Sequence, residues 1–155
     1  MKFFKEFINK LPEIAGVEPE KLQCTVEGGE LELSGKDFGN CKEIGKIKYI
    51  GNFKIENFAG DADILFALVI AWIENNDEHR NYLSLSDPKF YISNITESYI
   101  EINLSINFEE SLFVVEDADG SIFWMNKYWS MNDLNVDIAE ELIGLECKSD
   151  FYSHS

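Results

Sequence analysis

The sequence predicts an α+β fold: a mixed or antiparallel β-sheet with hairpins, packed by an N-terminal helix and one central apolar helix over about residues 61–75, with a further helix near the C-terminus. Three observations predict it. Tyr99, Glu101, Asn103, Ser105 and Asn107 alternate without a break against Ile100, Ile102, Leu104, Ile106 and Phe108, the pattern of a strand with one core face and one wet face. Ile64 to Ile73 holds no polar residue; this run is about half the roughly 20 residues a membrane span requires, so it reads as a core helix. Gly28-Gly29 stands between two alternating runs, Leu22, Cys24, Val26 and Leu31, Leu33, which predicts a hairpin over Lys21–Ser34 with the glycines supplying positive φ.

The remaining elements follow in chain order. Phe3, Phe4, Phe7, Ile8 and Leu11 fall at the spacing that gathers apolar groups on one helix face, and Pro12 and Gly16 end that helix. Gly, Asp and Asn between Gly35 and Lys42 mark a loop. Ile44 to Ile55 is a long strand with Ile47, Tyr49, Gly51, Phe53 and Ile55 on one face, Gly51 marking a bulge or a close approach of another backbone. Asp61 and Asp63 open the central helix as capping carboxylates rather than metal ligands. A helix apolar all round is buried all round, so one side should pack on the sheet and another against a partner subunit.

Beyond the polar stretch Glu74–Arg80, Lys89–Thr96 and Ser98–Phe108 read as strands. Leu112–Glu116 and Ser121–Met125 read as a hairpin around Ala118-Asp119-Gly120. Ser130 and Asp133 form a capping box before Met131, Leu134, Ile138 and Leu142, and Gly144 stops that helix. The expected organisation is a single α+β domain over 1–147 and a flexible end over 148–155.

With 29 acidic against 13 basic residues, the formal net charge is −16. Such a surface repels duplex phosphates, which disfavours specific nucleic-acid binding, and membrane-surface binding as well. The charge fits simple solubility, an acidic lumen past which DNA slides, or a mimic of DNA. The first residues lack a secretory signal pattern, so synthesis and assembly in the cytoplasm are expected. Cys24, Cys41 and Cys147 are widely spaced, without the pairing of a zinc site, and are expected as reduced thiols.

No catalytic motif stands out. Glu116-Asp117-Ala118-Asp119-Gly120 lacks the distal ligands of a calcium loop and reads as a turn. His79 and His154 lie in polar segments, and no Ser or Cys sits in a nucleophile elbow. Glu109-Glu110 and Glu140-Glu141 point different ways as neighbours and read as solvated surface. Phosphate-loop, dinucleotide and His-Glu-x-x-His patterns are missing. No catalytic, cofactor-binding or metal residue is therefore assigned, and the expectation is a protein that is not an enzyme. Four aromatics within Phe123–Trp129 are more than a strand end needs: Phe123, Trp124, Tyr128 and Trp129 are a candidate interface, weighed against packing in a small core.

Pro19-Glu20-Lys21-Leu22 through Gly29-Glu30-Leu31, then Tyr49, Phe58-Ala59-Gly60-Asp61, Trp72-Ile73, Asn75-Asn76-Asp77 through Leu83, and the strand Glu97 to Glu110 follow one another in an order that resembles the phage tail completion protein R (GpR) family. The resemblance runs over about 19–120 and leaves 121–155 outside it. It implies a structural role in a phage or prophage with a contractile tail: a terminator that caps the head-proximal end, ends tube and sheath polymerisation and readies the tail for head joining. The implied partners are further copies of the chain in a hexameric ring, the tail tube and sheath proteins, and head-completion or connector proteins, with DNA passing through the ring and the protein resident in the virion. The alternative is an acidic DNA mimic that inhibits a host nuclease or DNA-binding protein.

Overall fold

The structure, a computed structural model, describes residues 1–132. The elements are helix α1 (Lys2–Lys10), continued by a 3₁₀ turn Leu11–Glu13; a second 3₁₀ turn Pro19–Lys21; strands β1 (Leu22–Asp37) and β2 (Lys42–Phe58); helix α2 (Ala62–Asn76); and strands β3 (Lys89–Ser93), β4 (Ile100–Glu116), β5 (Ile122–Trp124) and β6 (Lys127–Met131). Strand order is β1-β2-β4-β6-β5, with β3 also pairing with β4. The α+β class and the mostly antiparallel sheet are as the sequence predicts. The C-terminal helix and the end over 148–155 lie outside the described residues; Ser130, expected in that helix's capping box, is in β6. The described residues form two compact units, one from 1–30 and 48–110, the other from 31–47 and 111–132.

In the first unit α1 buries Phe3 and Phe7 and the 3₁₀ turn after it buries Leu11, the spacing read from the sequence. The Phe7 ring lies 4.7 Å from that of Phe53 on β2 and 4.9 Å from that of Trp72 on α2. Tyr49, Phe53 and Ile55 are buried on one face of β2, and Ile102, Leu104, Ile106 and Phe108 on one face of β4, as their alternation requires. A Cβ at Gly51 would come within 3.0 Å of the Phe53 ring and 3.1 Å of Phe4, so the bare position makes room for aromatic rings rather than for another backbone. Gly16, at φ +96°, and Gly60 bring two loops into backbone contact: a Cβ on Gly16 would lie 2.4 Å from the Gly60 nitrogen. Ala59 N–H donates to the Gly16 carbonyl at 3.3 Å beside them.

Gly28-Gly29 is not a hairpin turn. β1 runs through both residues. Asn52 Nδ2 donates to Glu27 at 2.7 Å while Lys48 Nζ lies 3.7 Å from Glu30, so β2 runs antiparallel to β1 across this stretch. Gly29 is needed for another reason, since a Cβ there would strike the Lys48 carbonyl oxygen at 1.7 Å, whereas one on Gly28 meets nothing within 4 Å. Close strand approach, not a turn, explains one of the two glycines.

In the second unit the chain reverses between β1 and β2 at Phe38–Cys41, where Phe38 N–H donates to the Cys41 carbonyl at 2.9 Å and Gly39 takes φ +92°. Here Cys41 and Phe113 form a buried cluster, with Phe38 and Val115 against it, and Val114 and Trp129 are buried as well. Cys24, in the first unit, is free, as expected, and half-buried; Cys147 lies outside the described residues. The hairpin expected between Leu112–Glu116 and Ser121–Met125 is also re-paired. Residues 112–116 continue β4, which pairs with β6 (Val114↔Met131, Glu116↔Trp129), and the hairpin is β5 with β6. Asp117–Gly120 is a turn as read, closed by Gly120 N–H on the Asp117 carbonyl at 2.8 Å and Asp119 N–H on the Asp117 carboxylate at 2.9 Å.

Candidate functional site

The buried polar groups tie separate stretches of the chain together. Glu110, expected on a solvated surface, instead accepts from the N–H of Lys2 at 2.6 Å and of Phe3 at 3.2 Å and from the Tyr49 hydroxyl. Glu43 is buried and accepts from the hydroxyls of Ser34 and Ser111. Asp77 meets Arg80 at 2.7 Å, and Arg80 also donates to the Ser86 carbonyl at 2.8 Å. Burial raises the Asp77 pKa and the Arg80 charge opposes that rise. Each of these carboxylates has its hydrogen-bond donors within the fold. Among the described residues no group of three or more His, Cys, Asp or Glu is arranged to hold a metal ion.

The aromatic segment singled out from the sequence forms the β5–β6 hairpin, with Phe123 opposite Tyr128 and Trp124 opposite Lys127. Its two faces differ. Trp129 is 4% exposed, and its indole N–H donates to the Trp124 carbonyl at 2.7 Å. The two indoles lie 5.5 Å apart, with Lys42 Nζ 5.6 Å from Trp129 and 6.0 Å from Trp124. The Phe123 and Tyr128 rings lie 5.1 Å apart, tilted by 59°, on the other face and are 62% and 51% exposed. The four candidate residues thus divide: Trp129, with Trp124 against it, packs inward, and Phe123 and Tyr128 are presented outward.

The hairpin turn is Met125-Asn126, at φ +53° and +60°. Positive φ at both central positions is the two-residue geometry that matches strand twist and favours Asn or Gly. A methionine there is conformationally costly, yet its side chain is 58% exposed and packs no core.

A second apolar surface belongs to the first unit. Asp61 caps α2, accepting from Asp63 N–H at 2.9 Å as its position in the sequence suggests. Leu65, Val69 and Ile73, four apart, are buried; Ile64 is 58% and Ile70 57% exposed, with Leu68 also outside. The expectation that this helix is buried all round fails for the chain by itself, because only one side of it meets the unit's own core. Beside Ile70, a groove of about 410 Å³ opens between α2, the 80–88 connection and β3, with Phe66, Ile73, Pro88 and Phe90 in its walls. The Phe66 and Phe90 rings lie 4.3 Å apart.

The outward face of α2 and the aromatic hairpin are exposed apolar surfaces on an acidic chain, and comparison with known proteins decides the family. The P2 phage tail completion protein R (GpR) family matches residues 3–133. The chain belongs to this GpR family. A protein of Haemophilus phage HP1 (strain HP1c1), described as an uncharacterized 19.2 kDa protein in the rep-hol intergenic region, is 27% identical over 122 residues, covering 76% of this chain and 73% of its own. No solved structure matches.

As a GpR family member, the chain has a tail completion role and is a structural protein of phage tail assembly. The match extends the resemblance read over 19–120 in both directions: α1 and the β5–β6 hairpin fall inside it, so the aromatic hairpin is not an appendage outside the family region. Sequence reasoning missed the groove and the Glu110 tie. The surplus of apolar residues in α2 beyond its buried positions was the available signal for the first; nothing local marks the second, which joins residues 108 apart.

Proposed function

We propose that this protein is the terminator-like subunit of a contractile phage tail: it caps the head-proximal end, ends tube and sheath polymerisation and presents a surface to head-completion or connector proteins. It works as a ring of six copies. The observation that carries the ring is the outward face of α2, where Ile64, Leu68 and Ile70 stay exposed on a chain of net charge −16. Copies that repel one another electrostatically associate through surfaces free of charge. A ring also needs two different patches per subunit, because a cyclic contact is heterologous; the α2 face and the hairpin supply one on each unit. The same acidity lets DNA pass a ring lumen without sticking. The protein acts in the virion after assembly in the host cytoplasm, and no reaction is assigned to it.

Light scattering coupled to size exclusion, over a range of protein and salt concentrations, tests the ring. A species near six times the 17.8 kDa chain mass is expected. A monomer at every concentration, together with no binding to tail tube ends, contradicts the proposal.

A further inference from the structure

Resting on the ring proposed above, we infer that the subunit contact is made by the β5–β6 hairpin of one copy seated in the α2–β3 groove of the next. The hairpin supplies what such a groove takes. Phe123 and Tyr128 lie ring against ring at a tilt of 59°, held by the cross-strand register, and are exposed. Met125 is displayed beyond them at a positive φ that a methionine adopts only at a cost. The groove supplies the complementary walls in Phe66, Ile70, Ile73, Pro88 and Phe90, and its volume of about 410 Å³ is of the order that aromatic anchors fill.

Charge selects the same occupant. Residues 122–131 carry Lys127 and no carboxylate, in a chain with 29 acids, while Glu74 and Asp87 stand at the groove beside Lys89. Arg80, at the same groove, is already tied to Asp77. A hairpin of net charge +1 therefore enters a rim on which unneutralised acids outnumber bases. The carboxylate-bearing stretches of this chain would meet like-charge repulsion at that rim. Lys127 is held on its own copy by an exposed pair with Glu116 at 3.2 Å, 55% and 59% exposed, a contact weak enough to exchange for a partner.

The test mixes two defective chains. Phe123→Ser with Tyr128→Ser removes the insert, and Ile70→Glu spoils the groove; all three positions are exposed, so each protein is expected to keep its fold, checked by circular dichroism. Each variant alone should lose association at least 100-fold and run at the monomer mass. Mixed, the intact hairpin of one should enter the intact groove of the other, giving a species at twice the 17.8 kDa chain mass and nothing larger. A charge swap gives a second reading: Lys127→Glu should weaken association, and Asp87→Lys in the same chain should restore it.

Either variant assembling like the parent, or a mixture that stays monomeric, overturns the inference while leaving tail-end capping to be judged by tube binding. A parent chain that never self-associates overturns it too. A mixture that forms the two-chain species from a protein that ignores tail tubes upholds this contact and sinks the terminator role.

Discussion

The Tyr49 hydroxyl donates to the Glu110 carboxylate, and together these two strand residues receive the first three N–H groups of α1: Lys2 and Phe3 on Glu110, Phe4 on Tyr49. Lys5 N–H then begins the helix's own ladder on the Met1 carbonyl. The helix has no side-chain cap of its own. Its cap is borrowed from β4 and β2, which places a negative charge at the positive end of the helix dipole and pins the helix over the Phe3–Phe108 contact.

Removing that charge should be costly. Glu110→Ala leaves several nearly buried donors without a partner and is expected to destabilise the fold by about 2–3 kcal/mol, with Glu110→Gln nearer 1. Thermal unfolding checks this, each kcal/mol shifting Tm by about 2–4 °C in a chain of this size.

Alkaline pH should act through Tyr49. Burial, then the hydrogen bond and charge of Glu110, raise its pKa above the ordinary 10.0. The unfolded chain loses this proton from about pH 10 upward while the folded chain keeps it, so the folded state binds more protons there and its stability falls as pH rises. The contribution is whole below pH 10. Comparing urea midpoints of wild type and Tyr49→Phe at pH 8 and pH 11 should show the wild type losing more; equal losses would place the phenol in an ordinary environment.

The two glycines of β1 should behave oppositely. Gly28→Ala is expected to change stability by less than about 0.5 kcal/mol, because its Cβ meets nothing and its strand backbone suits any residue. Gly29→Ala collides with the Lys48 carbonyl and should cost several-fold more. Equal sensitivity at both sites would favour the turn that the Gly-Gly pair first suggests.

Neighbours on α2 should separate folding from assembly. Leu65→Ala, fully buried, should lower stability by about 2–5 kcal/mol. Ile64→Ser, on the outward face, should leave the unfolding midpoint nearly unchanged while weakening association in light scattering. A stability loss at Ile64 matching that at Leu65 would mean the helix's outer side is already covered within the chain.

The sequence made α1, α2, its Asp61 cap and the two buried strand faces legible because each is a local pattern whose period matches its environment. It misled where pairing is decided at a distance. Gly28-Gly29 looks like a turn because glycine serves both turns and close strand approach, and only the position of Lys48 distinguishes them. The β5–β6 hairpin escaped notice because Met125-Asn126 lacks the glycine that announces such a turn, while Asp119-Gly120 nearby carries one. Phe123 and Tyr128 were found from aromatic density alone. The groove was not, since its walls come from three separate stretches of chain.

The central claim is that this GpR family protein ends tail growth, and its most direct test is the length of tail tubes polymerised with and without it, read by electron microscopy. The account predicts that added protein halts elongation and leaves sixfold density at one end of each tube. Unchanged lengths and bare ends at saturating protein would contradict it.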